Sequence, residues 1–338
     1  MAGTGFLFFS RNFVLTSLIF TLPLLTTCTR SEIDSICKTS DKKQQNTENH
    51  LENTFNLLTY NTWGLPSTIL SPMAPERFHR IGEIIEKGPY DIALLQEDFC
   101  WHSHMKEYLS KGTHITRGTG GLKSFVRRLF ATTVRTFGLC DSNLASGLTT
   151  VSKTAKIVES SYQPFNICNG YFSDRSDCLA TKGILSTLLH FPHSNFYIYV
   201  HNLHLDAGSG KDNIRAREKQ IIVLEKWLRS FNNEIPHIIA GDFNYCFNGD
   251  RHYSDVIQGF KERLGIKYVY EVRMRGHKNA LDRCTDHIFY RNGKVTELII
   301  DSAGVAREFV DDEGNPLSDH AAFHARFKIK SNGLLNHD

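Results

Sequence analysis

Asp242 and Asn244 stand two residues apart in "HIIAGDFNYC" (237–246), at the end of a run apolar enough for a buried strand. A carboxylate and a carboxamide at that spacing fall on one side of an extended chain. Gly, Asp and Asn are also the usual turn residues, so alone the stretch reads equally well as a strand end and a turn. Other polar residues occupy similar places. Asn61 ends "FNLLTYN" (55–61), Glu97 ends "DIALLQE" (91–97) and His204 sits at the end of "NFYIYVHNLHL" (195–205). Asp319 and His320 directly precede "AAFHARFKI" (321–329). Histidine exchanges protons near neutrality and oxygen-bearing side chains suit hard cations. Polar groups at strand ends can converge on one rim of a sheet, where such residues would do acid–base work.

Alternating strands and helices would have to bring them there. "PERFHRIGEIIEK" (75–87) opens on Pro and repeats Phe78, Ile81, Ile84 and Ile85 at helical spacing. "DNIRAREKQIIVLEKWLRSF" (212–231) places Ile214, Ile221, Leu224, Leu228 and Phe231 on one face of a long helix. Further strands fit "KGILSTLLHF" (182–191), "PHIIAGD" (236–242), "TDHIFY" (285–290) and "KVTELIID" (294–301). With no repeat and no second linker, residues 55–330 read as one α/β domain followed by a short tail, 331–338. In "TDHIFY", Asp286 and His287 point to opposite faces, so only one of them can face a site. His102 and His104 in "WHSHM" would need a strand to act together, and the stretch reads as a loop entering a helix.

The formal charge of the 338-residue chain is only +3, which builds no strong field for nucleic acid. Residues 1–27 carry one charge, Arg11, and "FVLTSLIFTLPLLTT" (13–27) suits the apolar core of a secretory signal. The polar stretch 28–54 reads as a tether. The join "LLTTC" resembles the lipobox of bacterial lipoproteins, with Cys28 as the acylated residue, although Thr27 departs from the usual small residue. An exported chain is expected, either secreted or held at a membrane through Cys28. Export permits disulfides among the eight cysteines, and Cys168 and Cys178 could close a short loop.

Six pieces, "YNTWG" (60–64), "LLQED" (94–98), "HNLHLDAG" (201–208), "GDFN" (241–244), "TDHIFY" (285–290) and "LSDHAA" (317–322), together resemble the endonuclease/exonuclease/phosphatase superfamily. Within it, "YNTWGLP" (60–66) and "DCLATKGILS" (177–186) are similar to the neutral sphingomyelinase-like branch. The resemblance implies a four-layer α/β/β/α sandwich with two central, mostly antiparallel sheets. It implies a Mg²⁺-dependent phosphodiesterase, with Mn²⁺ or Co²⁺ as substitutes, acting on a membrane phospholipid, sphingomyelin, at the bilayer surface. Glu97 would be the principal metal ligand, with Asn61 beside it and Asp319 near the metal or its waters. His320 would take a proton from water and Asp286 would fix its tautomer. His204 would donate to a phosphoryl oxygen or to the leaving group. Asp242 would orient the nucleophile, Asn244 would contact phosphate, and Trp63 would contact substrate. Whether Asp242 or His320 is the base stays open at this level.

"GLKSFVRRLFATTVRTFGL" (121–139) repeats Leu122, Phe125, Val126, Leu129, Phe130, Val134 and Phe137 between Lys123, Arg127, Arg128 and Arg135. A basic amphipathic helix is expected, seeking a membrane surface or packed on the sheet with its arginines in water. A secreted nuclease, an inositol-phosphate phosphatase and a catalytically inactive surface lipoprotein are the rival readings. Nucleic acid is disfavoured because no basic stripe free of apolar residues is present, and no protein partner is evident.

Overall fold

The structure, a computed structural model, describes residues 54–66, 70–119, 125–140, 145–171, 175–245, 251–269 and 285–331. The expected signal segment 1–27, Cys28, nearly all of the tether and the tail from 332 lie outside the described residues.

Twelve described strands form two six-stranded sheets. The first has the order β11 (Thr296–Ala306), β12 (Ala322–Ser331), β1 (Thr54–Asn61), β2 (Ile92–Gln96), β4 (Thr149–Ser152), β3 (His114–Arg117). The second has the order β5 (Lys156–Pro164), β6 (Gly183–Phe191), β7 (Phe196–His204), β8 (His237–Asp242), β10 (Asp286–Arg291), β9 (Lys267–Tyr268). Each sheet contains one parallel pair, β1 with β2 and β7 with β8, and its other pairs are antiparallel. A parallel pair needs a crossover. Helix α1 (Ala74–Lys87) makes the first and α4 (Lys211–Leu228) the second. Helices α1, the short α2 (His102–Lys106) and α3 (Phe125–Thr136) cover the first sheet, packing with Leu58, Tyr60, Ala93 and Leu95. Helices α4 and α5 (Arg251–Leu264) cover the second, as Trp227 against Ser186 and Phe260 against Phe289 show. Two mixed, mostly antiparallel sheets with helices outside make the expected α/β sandwich. Among the described residues no helix is long and apolar enough to cross a membrane.

The rows facing between the sheets explain where a site can form. On β1 the row runs Phe55, Leu57, Thr59, Asn61; on β2 it runs Ile92, Leu94, Gln96. On β7 it is Ile198, Val200, Asn202, His204, and on β8 it is Ile238, Ala240, Asp242. At one end the rows are aromatic, with Phe55 stacked on Phe196 and Phe327. Toward the other end they turn polar. Gln96 Nε2 donates to Asn202 Oδ1 (2.7 Å), and Asn202 Nδ2 donates to Leu95 O (2.9 Å), tying the sheets together. A buried amide is tolerated only when bonded, so these pairs let polarity enter the core without a large cost.

Cys100–Cys140 and Cys168–Cys178 are disulfide-bonded. The first ties α2 to the end of α3; the second closes the short loop that the spacing permitted.

Candidate active site

The polar row-ends meet at the carboxyl ends of both parallel pairs, where crevices open in α/β sheets. Asn61 Nδ2 donates to Glu97 Oε1 (3.2 Å) and to Asp242 Oδ2 (3.1 Å). His204 Nε2 lies 3.4 Å from Asp242 Oδ2 and 3.9 Å from Glu97 Oε1. His320 Nε2 lies 3.8 Å from the same Asp242 oxygen, while its Nδ1 is 2.7 Å from Asp286 Oδ2. Six segments far apart in sequence thus place Asn61, Glu97, His204, Asp242, Asp286 and His320 in one cluster.

The local backbone is bent to achieve this. Trp63, Glu97 and Asn244 all have positive φ, 53°, 54° and 52°. For residues with a Cβ that is uncommon, and such strain gathers at functional sites. At Glu97 the turn is held by its own carbonyl, which accepts from Gly64 N (3.0 Å) and Phe99 N (2.7 Å). Gly64 must be glycine here, because a Cβ would meet Glu97 O at 2.5 Å and Phe78 at 2.6 Å. The reversal also separates two neighbouring acids. Glu97 turns into the cleft, whereas Asp98 is buried against His102 Nδ1 (2.6 Å) and Arg117 (3.8 Å). His102 is therefore a partner of a buried carboxylate, and His104 contacts His79 (2.8 Å) away from the cluster.

The Asn244 amide nitrogen turns from the cluster and donates to Leu205 O (3.0 Å); its backbone N–H donates to Asp242 Oδ1 (2.8 Å). Asp319 is exposed on the cleft wall and takes a bond from Ser318 Oγ (3.3 Å). Ser318 also donates to Asn61 O (2.7 Å), joining the start of β12 to the end of β1. His287 faces away, between Tyr268 OH (2.9 Å) and Tyr245 O (2.7 Å), while Asp286 faces the cluster, as the alternation of a strand requires. The cleft, about 520 Å³, is lined by Trp63, Leu65, Leu70, Phe99, Phe130 and Leu179 beside the polar cluster.

Lys182 is not singled out by its sequence context, yet it enters the site. Its Nζ is 2.9 Å from His204 Nε2 and donates to Leu205 O (2.9 Å), and it forms an ion pair with Asp177. Only the odd placement of a lysine just before an apolar strand could signal it. Arg77 escapes the sequence reading as well. It is buried and donates to Thr62 O (3.2 Å) and Trp63 O (2.9 Å), bracing the loop that carries Trp63.

Charge states follow from these neighbours. Burial pushes the Glu97 carboxyl up to about 7, against the pull of Lys182 and His320. Burial would likewise raise Asp242, but His320, His204 and Lys182 hold it below the usual carboxylate range. Burial and the adjacent Lys182 cation depress His204 well below an ordinary histidine. Burial disfavours the His320 cation too, yet Asp286 and Asp242 outweigh it and lift His320 to about 11. Neutral His204 and protonated His320 therefore coexist around an ionised Asp242.

The donor set fits a hard divalent cation. Glu97 keeps 18 % of its side chain open to the cleft, shares a single amide with Asp242 and is raised by burial, so its carboxylate lacks full compensation. Asp242, Asp286 and His320 also lie close enough to hold an ion, with ligand atoms within 4.8 Å of one another. The short His320–Asp286 contact is better read as a bond that keeps a proton than as two ligands of one metal. Glu97 is the stronger candidate ligand. The Asn61 oxygen accepts from Trp63 N (3.1 Å), so any contact with an ion must share it.

The sequence profile of the Endonuclease/Exonuclease/phosphatase family matches residues 58–320. The chain belongs to this family. A sphingomyelinase of Mycobacterium bovis is 26% identical over 280 residues, covering 79% of this chain and 51% of that protein. The chain thus spans about half the length of that relative. A putative neutral sphingomyelinase of Drosophila melanogaster is 25% identical over 290 residues, covering 81% of this chain and 60% of that protein. Sphingomyelinase C from Streptomyces griseocarneus has the same fold (TM-score 0.54, 18% identity, 81% of this chain and 99% of that one). So does zebrafish (D. rerio) TDP2 bound to a single-strand DNA product (TM-score 0.57, 17% identity, 82% and 100%). These two curated relatives are described as sphingomyelinases.

Proposed function

We propose that this phosphodiesterase-type hydrolase cleaves sphingomyelin to ceramide and phosphocholine, and that it uses Mg²⁺. The observation that carries the lipid reading is the cleft wall. Trp63, Leu65, Leu70, Phe99, Phe130 and Leu179 put apolar surface directly beside the carboxylate–histidine cluster, with Arg175 and Lys182 among the lining cations. A polyanion needs a basic track, whereas a phospholipid presents one phosphate on an apolar body. The sphingomyelinase relatives support the same reading.

A cation held by Glu97, with Asn61 beside it and Asp319 on the rim, would offset phosphate charge and stabilise a leaving alkoxide. The chain's own residues do the rest. Asp286 fixes the His320 ring so that Nε2 faces Asp242. Asp242, ionised and held at Oδ1 by the Asn244 N–H, is the acceptor that orients a water. His320 carries the mobile proton, and Lys182 with neutral His204 presents donors to phosphate. The negative potential of Asp242, Asp286 and Glu97 is what holds the proton on His320. A cation against Glu97 would weaken that hold and bring His320 closer to a base.

We also propose export. The apolar run 13–27 and Cys28 support it, and the two disulfides are those an oxidising compartment permits. The test of the main reading is phosphocholine release from sphingomyelin with and without EDTA, beside plasmid nicking. Release that stops in EDTA and returns with Mg²⁺ is expected. Nicking without phosphocholine release would replace the lipid reading with a nuclease.

A further inference from the structure

We propose that the C-terminal tip of α3 docks onto a bilayer containing anionic lipid and holds the cleft mouth against it. This extends the lipid-substrate reading, and rests on it for its purpose. The segment 121–139 contains Lys123, Arg127, Arg128 and Arg135 and no acidic residue. The helix has already buried its own apolar stripe. Val134 is 5% exposed, with Phe130 and Ala131 packed into the same cluster, and Arg127 Nε donates to Cys178 O (2.5 Å). Leu129, Phe137 and Leu139 nevertheless stay in solvent, at 56%, 73% and 37%.

These apolar residues are not on a segment free to fold back. Gly138 is left-handed (φ 66°), Leu139 N donates to Val134 O (2.8 Å) and Gly138 N to Arg135 O (3.1 Å). That is the helix-ending arrangement in which glycine reverses the chain and satisfies the last carbonyls. Two residues past Gly138, Cys140 is bonded to Cys100. An aromatic ring held this firmly in water costs hydration with no return inside the described fold. Basic residues between apolar tips match an anionic interface, where the apolar groups enter the lipid and the arginines meet headgroups. The helix reaches the cleft, because its Phe130 lines it, as does the 55% exposed Leu70.

Phe125 and Phe130 are unsuitable for testing this. Phe130 lines the cleft, and the side chain of Phe125 lies outside the described residues. In the full chain, Phe137→Trp should show quenching by vesicles of phosphatidylcholine and phosphatidylserine with brominated acyl chains, beyond that of the wild type, in EDTA. Quenching equal to the wild type overturns the proposal, whatever the apolar N-terminal run does. The pair Leu129→Ser with Phe137→Ser should lower turnover of sphingomyelin vesicles about tenfold. Turnover of a water-soluble phosphocholine ester should stay unchanged. Unchanged vesicle turnover, or equal loss on both substrates, also overturns it. If the wild type hydrolyses neither substrate yet the Phe137→Trp variant is still quenched beyond it, docking stands and the sphingomyelin reading falls.

Discussion

Two histidine pairs share strand β7 and differ in everything else. His204 ends the row that faces between the sheets and meets His320 across Asp242. His201, on the opposite face of the same strand, bonds His237 (2.9 Å) and Ser186 (2.7 Å) under α4. The His201–His237 pair has aromatic neighbours, Tyr199 and Phe231, and its nearest charge is the Arg291 cation, 2.9 Å from His237 Nε2. Burial depresses both rings, with His237 and Arg291 adding to it at His201 and Arg291 at His237, which falls to about 3. In the cleft, burial acts the same way on His320, but Asp286 and Asp242 reverse the outcome. Burial disfavours the charged histidine, and the two carboxylates flanking His320 outweigh it there, whereas His204, 3.4 Å from Asp242 but beside the Lys182 cation, stays neutral.

The largest expected effect breaks the cleft pair. His320→Ala should lower kcat about 10²- to 10⁴-fold per folded molecule, and should also lower the thermal midpoint because Asp286 and Asp242 lose their cation. His237→Ala should lose stability with turnover per folded molecule retained. A His237 variant that folds normally but is dead would erase the distinction between the pairs.

Next come the pH limits, where the two regions should fail at opposite ends. His201 and His237 have folded-state pKa values below the ordinary 6.5. The unfolded chain therefore binds more protons, and their contribution is lost as pH falls below the ordinary 6.5, for His237 down to about 3. Glu97 (about 7), Asp286 (about 6) and His320 (about 11) are raised. There the folded state binds more protons, so stability falls as pH rises through those values. In EDTA the melting temperature should decline above about pH 7, once the contributions of the depressed histidines are complete, and Glu97→Gln should shrink the start of that decline. His237→Gln should instead flatten the acid side. Asp206, raised to about 7, adds to the alkaline trend, so Glu97→Gln removes only part of it. A Glu97→Gln profile parallel to the wild type would show that the site carboxylate is not uncompensated.

Much of this is legible in the chain because the inward rows change from apolar to polar along each strand. Alternation in "NFYIYVHNLHL" assigns His201 and His204 to different faces, and alternation in "TDHIFY" separates Asp286 from His287. Strands β3, β4 and β5 escape such a reading. They are short or mixed in pattern, and β5 is a sheet edge with exposed residues such as Val158. Helix α5 escapes it too. In "LLQED" the spacing could not say how the two acids divide; the positive φ at Glu97 turns one into the cleft and leaves the other to Arg117 and His102. Lys182 is illegible for a related reason. Its meaning comes from Asp177 and His204, which only the folded chain brings to it.

The smallest effect sharpens the buried side of the comparison. Trp227 Nε1 donates to Ser186 Oγ (2.9 Å), which bonds His201, which bonds His237, whose Nε2 reaches Asn232 O (3.0 Å). Two neutral imidazoles each offer one donor and one acceptor, so the pair itself needs no charge, although the Arg291 guanidinium lies 2.9 Å from the same His237 Nε2. Trp227→Phe removes one end link and keeps a large ring against Phe231. It should cost about 1 kcal/mol, the usual net worth of one hydrogen bond, read as a shifted urea midpoint with unchanged slope. Because His204 lies on the other face of β7, turnover and its pH profile should not move. A shifted pH profile in Trp227→Phe would mean that the two histidine pairs communicate through the strand, and that the buried chain tunes the cleft rather than only filling the layer beneath α4.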